Sequence, residues 1–165
     1  MEVKSRHHLR SDAIDRITTS IADALGVEID GDSFEQVEFT DSDTELVLVD
    51  GDPLVTYFPA PDGGNPEPFL TVNGANRYPP TDRVVTVDAG AVSFVSDGAD
   101  VMRPGIADAD AEIAADDLVV IEEESHGKAL AIGRARVDGD ELVGDSGKVI
   151  DSLHHVGDEL FSLSL

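Results

Sequence analysis

The chain has no cysteine and no tryptophan, and lysine occurs only at Lys4, Lys128 and Lys148. Without cysteine there is no disulfide framework, no thiolate nucleophile and no Cys-based zinc site. No apolar run approaches the length of a membrane span, and the first residues lack the apolar centre of a signal peptide. The expectation is a cytoplasmic, soluble chain with no membrane partner. Nucleophile elbows, phosphate-binding glycine loops with lysine and HExxH helices are also missing. Carboxylate pairs occur throughout so acidic a chain, so none of them marks acid–base chemistry. The chain reads as a non-enzyme that needs no cofactor.

What the sequence has in abundance is acid. Thirty-five Asp and Glu face eleven Lys and Arg, giving a formal net charge of −24 over 165 residues. A hydrophobic content of 41% still suffices for packed cores, which separates the chain from disordered acidic tails. Two explanations compete. Either the protein prefers a basic partner, or it belongs to a salt-rich cytoplasm where acidic surfaces maintain solubility. The acids are spread along the whole chain and lysine is scarce, which favours the halophile. At molar salt the Debye length is about 3 Å, so distant acids barely repel a phosphate backbone. The negative charge therefore does not exclude RNA.

Residues 1–10 (MEVKSRHHLR) are the most basic segment and precede an amphipathic helix over about 12–25. Ile14, Ile17, Ile21 and Leu25 share its apolar face. Ser11 or Asp12 is the expected N-cap and Gly26 the stop. Strands are expected at 34–39, 45–49, 54–58 and 69–72, with a hairpin turn at Asp50-Gly51-Asp52-Pro53 and a loop over 59–68. The fourth strand should end at Asn73-Gly74. Arg77-Tyr78-Pro79-Pro80 reads as a stiff joint, because proline fixes φ and restricts the residue before it. It sets a domain boundary near residue 80.

Beyond the joint, strands are expected at 83–87, 99–103, 118–122, 129–137 and 159–163, the composition of a small, nearly closed barrel. Gly133 is a candidate bulge that would change the facing of Arg134 and Arg136. The segment Val87–Ile106 (VDAGAVSFVSDGADVMRPGI) organises this half. Asp88 can cap a short helix over 89–95, Gly98 stops it, and an edge strand then runs to Pro104-Gly105. Backbone N–H groups along such a turn can face a groove that accepts phosphate oxygens or base edges. His7-His8 and His154-His155 are poor chelates, since adjacent histidines on an extended chain point to opposite faces. No metal site is expected. Asp108–Glu112 begins like a calcium loop, but Ile113 stands where glycine is required.

Asp88, Gly90, Ala91, Gly98, Ala99, Asp100, Met102, Pro104, Gly105 and Ile106 form a long ordered match that resembles the signature of the PUA domain, an RNA-binding module. Gly147-Lys148, the apolar 149–153 segment and Gly157-Asp158 extend it. Lys4-Ser5, Val49–Gly51 and Arg77-Tyr78-Pro79 make the whole chain similar to archaeal stand-alone PUA proteins and to the malignant T-cell-amplified sequence family of translation factors. The resemblance implies an α+β protein. A small N-terminal pre-PUA α/β unit (1–80) would precede a PUA-type mixed β-barrel with short helices (81–165). It implies a non-catalytic, monomeric RNA-binding protein that recognises a tRNA acceptor end or small-subunit rRNA. Initiation, recycling or tRNA metabolism would be its setting. The expected RNA-binding residues are Gly98, Ala99, Asp100, Val101, Met102, Arg103, Pro104, Gly105, Arg134, Arg136, Lys148 and His154. Lys4, Arg6 and Arg10 would meet a partner, either the small ribosomal subunit or a separate initiation-factor-like protein. The alternatives are a module that docks such a partner, with the barrel as scaffold, and an accessory specificity subunit of a separate tRNA-modifying enzyme.

Overall fold

In the computed structural model, which describes residues 1–165, the chain begins with strand β1 (Val3–His8) and helix α1 (Ser11–Leu25). β1 is absent from the sequence reading, which has only a charged lead-in there. Its residues are almost all exposed, so no apolar alternation announces it. Ile17, Ile21 and Leu25 of α1 are buried, and Gly26 closes the helix in the left-handed region at φ 72°. Neither expected N-cap is used. Arg10 takes that position without a side-chain bond.

Strands β2 (Phe34–Phe39), β3 (Glu45–Val49), β4 (Asp52–Phe58) and β5 (Glu67–Leu70) follow, each antiparallel to its predecessor, and β1 pairs with β2. The sheet order β1-β2-β3-β4-β5 repeats the chain order. The β3–β4 hairpin is tighter than expected. Asp50 and Gly51 alone make the turn, at φ 51° and 88°, as a two-residue hairpin requires. The Asn73-Gly74 terminus is also corrected, because Val72–Arg77 forms helix α2. Thr71 Oγ1 accepts the Gly74 amide at 3.0 Å and caps it. Gly74 lies so near the Leu54 carbonyl that any Cβ would collide with it.

The molecule divides into two compact units, Met1–Pro79 with Ser164–Leu165, and Pro80–Leu163. The second contains β6 (Val84–Val87), α3 (Val92–Ser96), β7 (Val101–Met102), β8 (Ile106–Ala109), β9 (Leu118–Glu123), β10 (Ala129–Ala135) and β11 (Lys148–His155). Its sheet order, β7-β11-β10-β9-β6-β8, includes a parallel β6–β9 pair. The result is an α+β protein whose second unit is a nearly closed mixed barrel with short helices. Val85, Val87, Ile121, Leu142 and Ile150 belong to its buried core.

The last expected strand is displaced. Residues 159–163 form turns, whereas Lys148–His155 is the long strand. The cause is Asp158, whose carboxylate accepts the amides of His155 and Phe161 at 2.9 and 2.8 Å and coils the chain there. The bulge near Gly133 is present, with the register against β11 shifting between Ile132 and Gly133. A Cβ at Gly133 would lie 2.6 Å from Ile150 Cγ2, so glycine lets the two strands close up.

Candidate functional site

The segment from β6 to β8 builds a groove. Asp88 Oδ1 accepts the Ala91 amide at 3.1 Å, and α3 starts at Val92, later than the sequence suggests. Val95 turns into the core while its neighbour Phe94 is 66% exposed. Gly98, at φ 93°, turns the chain toward β7. After β7 a 3-10 turn, Arg103–Gly105, carries it into β8. The Asp88 amide donates to the Gly105 carbonyl at 2.9 Å, and a Cβ on Gly105 would come within 2.9 Å of Ala91. The two turns thus meet closely, and the space between them is a cavity of about 450 Å³. Its lining is mostly apolar, with Phe94 and Met102 at its walls and the carboxylate residues Asp88 and Asp100 within it. Met102 is 47% exposed.

The expected ligand residues separate into three groups. Met102, Pro104, Gly105, Ala99 and Asp100 line this cavity. Arg136 and Lys148 lie on the surface in ion pairs. Arg136 Nε contacts Asp151 Oδ1 at 2.9 Å, and Lys148 Nζ contacts Asp100 Oδ2 at 3.1 Å. The bond to Asp151 raises the Arg136 guanidinium pKa. Asp100 is held below the usual carboxylate range, first by the Ser152 amide bonded to it and then by Lys148. Pairs this exposed are weak, so an incoming phosphate can compete for the cations.

The third group is structural. Arg103 donates Nε to the Glu141 carbonyl at 2.9 Å and Nη1 to the Ser146 carbonyl at 3.0 Å, tying down the 141–147 loop. Arg134 is 8% exposed and donates to the Asp116 carbonyl, while Val101 belongs to the core. His154 is 2% exposed, with Nδ1 2.8 Å from Asp158 Oδ2. Burial lowers the pKa of its imidazole, although Asp158 pulls the other way. The amides of Gly98, Ala99 and Arg103 are already bonded to the carbonyls of Val95, Phe94 and Gly147. These three amides are therefore engaged within the protein, and the groove they border has a mostly apolar lining.

Phe94 is the residue that sequence reasoning missed. Its signal was present, since a helix burying Ala91, Val92 and Val95 must send the intervening aromatic outward. His155 supports the turn from below. Its Nδ1 lies 3.1 Å from the Ser96 carbonyl, and its ring occupies the space a Cβ on Gly98 would need.

The N-terminal cations lie elsewhere. Arg6 makes two bonds to Glu35, at 2.9 and 3.1 Å, whereas Arg10 is solvent-exposed and makes only a 3.6 Å contact with Asp12. Lys4 is exposed on β1. Asp138, Asp140 and Glu141 bring ligand atoms within 4.8 Å of one another, but all three are exposed. In so acidic a chain such a group is ordinary surface. No helix is long and apolar enough to cross a membrane.

Comparison with known proteins adds three findings. Residues 83–157 match the model of the PUA domain. The chain is 38% identical to an uncharacterized protein of Methanocaldococcus jannaschii over 77% of this chain and 75% of that one. It is 30% identical to translation machinery-associated protein 20 of Saccharomyces cerevisiae, over 79% of this chain and 74% of the relative. Among solved structures, a conserved PUA domain protein from Thermoplasma acidophilum superposes with a TM-score of 0.80 at 27% identity, covering 95% of this chain and 97% of that one.

Proposed function

The chain belongs to the family of PUA-domain proteins that includes translation machinery-associated protein 20, and from that premise we propose that it is a non-catalytic RNA-binding protein of translation or tRNA metabolism. The groove beside Phe94 carries the reading. Every nucleotide base has a π face, and stacking on an exposed aromatic contributes about 1–3 kcal/mol per base. Met102 adapts its flexible thioether to the other side of the groove. A base must be unstacked to enter, which selects single-stranded ends over duplex. Carboxylates at Asp88 and Asp100 accept hydrogen bonds and favour bases that carry an exocyclic amino group, adenine, cytosine and guanine, over uracil. Lys148 and Arg136 then meet the backbone phosphates, exchanging Asp100 and Asp151 for RNA.

A tRNA acceptor end or an exposed end of small-subunit rRNA fits these requirements, and likeness to a yeast protein named for its association with the translation machinery supports a translational setting. The acid-rich composition supports a salt-rich archaeal cytoplasm as the place of action. The test is binding of total tRNA and of small-subunit rRNA by the purified protein in molar KCl, with Phe94→Ser and Lys148→Glu beside the wild type. The preferred RNA chooses between the two settings. A folded wild-type protein that binds neither RNA overturns the reading.

A further inference from the structure

The first ten residues hold three of the eleven Lys and Arg of the chain and only one of its thirty-five acids. They also hold β1, which lies at one edge of its sheet with no neighbour on the outer side. The strand is fixed at both ends. The Met1 ammonium and the Glu2 amide contact Asp41, at 3.8 and 2.8 Å, and the Leu9 amide donates to the Phe34 carbonyl at 2.9 Å. Backbone groups alternate sides along an antiparallel strand. With Leu9 bonded toward β2, His7 turns the same way, and the amides and carbonyls of Arg6 and His8 face the open edge. The opposite edge of the sheet is poorly suited to pairing, since β5 has four residues and includes Pro68, which has no N–H.

We propose that β1 is a docking strand, to which an acidic, extended segment of a partner protein adds as a sixth strand. Main-chain bonds to Arg6 and His8 supply the ladder, as in other strand-addition complexes. Lys4 and Arg10 supply the charge preference, because a basic edge on a molecule of net charge −24 discriminates by sign. A second copy of this chain is a poor occupant. Pairing β1 with β1 sets Lys4, Arg6 and Arg10 of one molecule against the same cations of the other, an arrangement that costs stability. The site is independent of the groove at Phe94.

The experiment titrates the full-length protein with capped decapeptides in which valine alternates with glutamate, with serine or with lysine. Binding and backbone amide exchange are followed. The glutamate peptide should bind at least about tenfold more tightly than the lysine peptide, and it should slow exchange at Arg6 and His8. His8→Pro removes an outward N–H while leaving the β2 ladder intact, and should abolish that binding. Lys4→Glu/Arg10→Glu should erase the charge preference while tRNA binding persists. Glutamate-peptide binding unaffected by His8→Pro overturns the proposal, as does failure of every peptide to bind. Loss of tRNA binding in the charge variant would instead assign β1 to RNA, and a β1-dependent dimer in sedimentation would assign it to a second copy. Either result also overturns the proposal.

Discussion

The two units solve the same problem, an antiparallel sheet in an acid-coated chain, in opposite ways. The first is a meander whose strands pair in chain order, leaving β1 and β5 as open edges. The second reorders its strands, inserts the parallel β6–β9 pair and curls toward closure. The difference decides where each unit can meet a ligand. An open sheet offers main-chain edges, whereas a nearly closed barrel consumes them and leaves side chains on its connections. The barrel's candidate site accordingly sits on the β6–β8 connection, at Phe94 and Met102.

The two cores should respond separately to truncation. Ile21→Ala in α1 and Ile150→Ala in β11 should each cost about 2–5 kcal/mol, since both side chains are fully buried. Hydrogen exchange in molar KCl should show the first loosening β2–β5 and the second loosening β9–β11. Equal loosening of both sheets by either variant would contradict separate cores. Next in size is Phe94→Ser, expected to weaken tRNA binding about tenfold, the lower half of a base-stacking contribution. Its thermal midpoint should not move, because Phe94 is mostly exposed.

Acid should separate the units more gently. His154 is buried in the barrel and its pKa is lowered, chiefly by burial, from the ordinary 6.5. The unfolded chain therefore takes up a proton that the folded barrel resists. That part of the stability is complete above about pH 6.5 and is lost as the pH falls through the window below it. Asp158 adds a loss of the same sign at lower pH. Burial raises its pKa, but the amides of His155 and Phe161 and the His154 ring outweigh burial and leave it depressed. Unfolding midpoints measured against pH should fall for the wild type and flatten in His154→Gln. The smallest effect belongs to Lys148→Glu, about a threefold loss of RNA affinity in molar salt that widens as salt is diluted.

The meander was more legible than the barrel for a physical reason. β2, β3 and β4 bury one or both faces, so their apolar residues write the strand into the sequence. β1 buries almost nothing and was invisible. β11 carries Val149, Ile150 and His154 inward around a register shift, which breaks the alternation a strand is recognised by. α2 hid behind Asn73-Gly74, a pair that reads as a turn until Thr71 caps it. At the candidate site the glycines and Pro104 were readable because each serves a tight turn. The cations were not, since spacing cannot tell a cationic side chain at the surface from one folded back on a carbonyl. Arg103 and Arg134 are of the second kind, and Arg136 and Lys148 of the first.

An unpaired RNA end in the groove beside Phe94 is the proposal on which the rest depends. The most direct measurement compares the affinity of the wild-type protein for intact tRNA and for the same tRNA trimmed of its unpaired 3′ nucleotides, in molar KCl. Trimming should cost at least about tenfold, with no further loss when Phe94→Ser is tested on the trimmed RNA. Equal affinity for the two RNAs, with Phe94→Ser weakening neither, would contradict it.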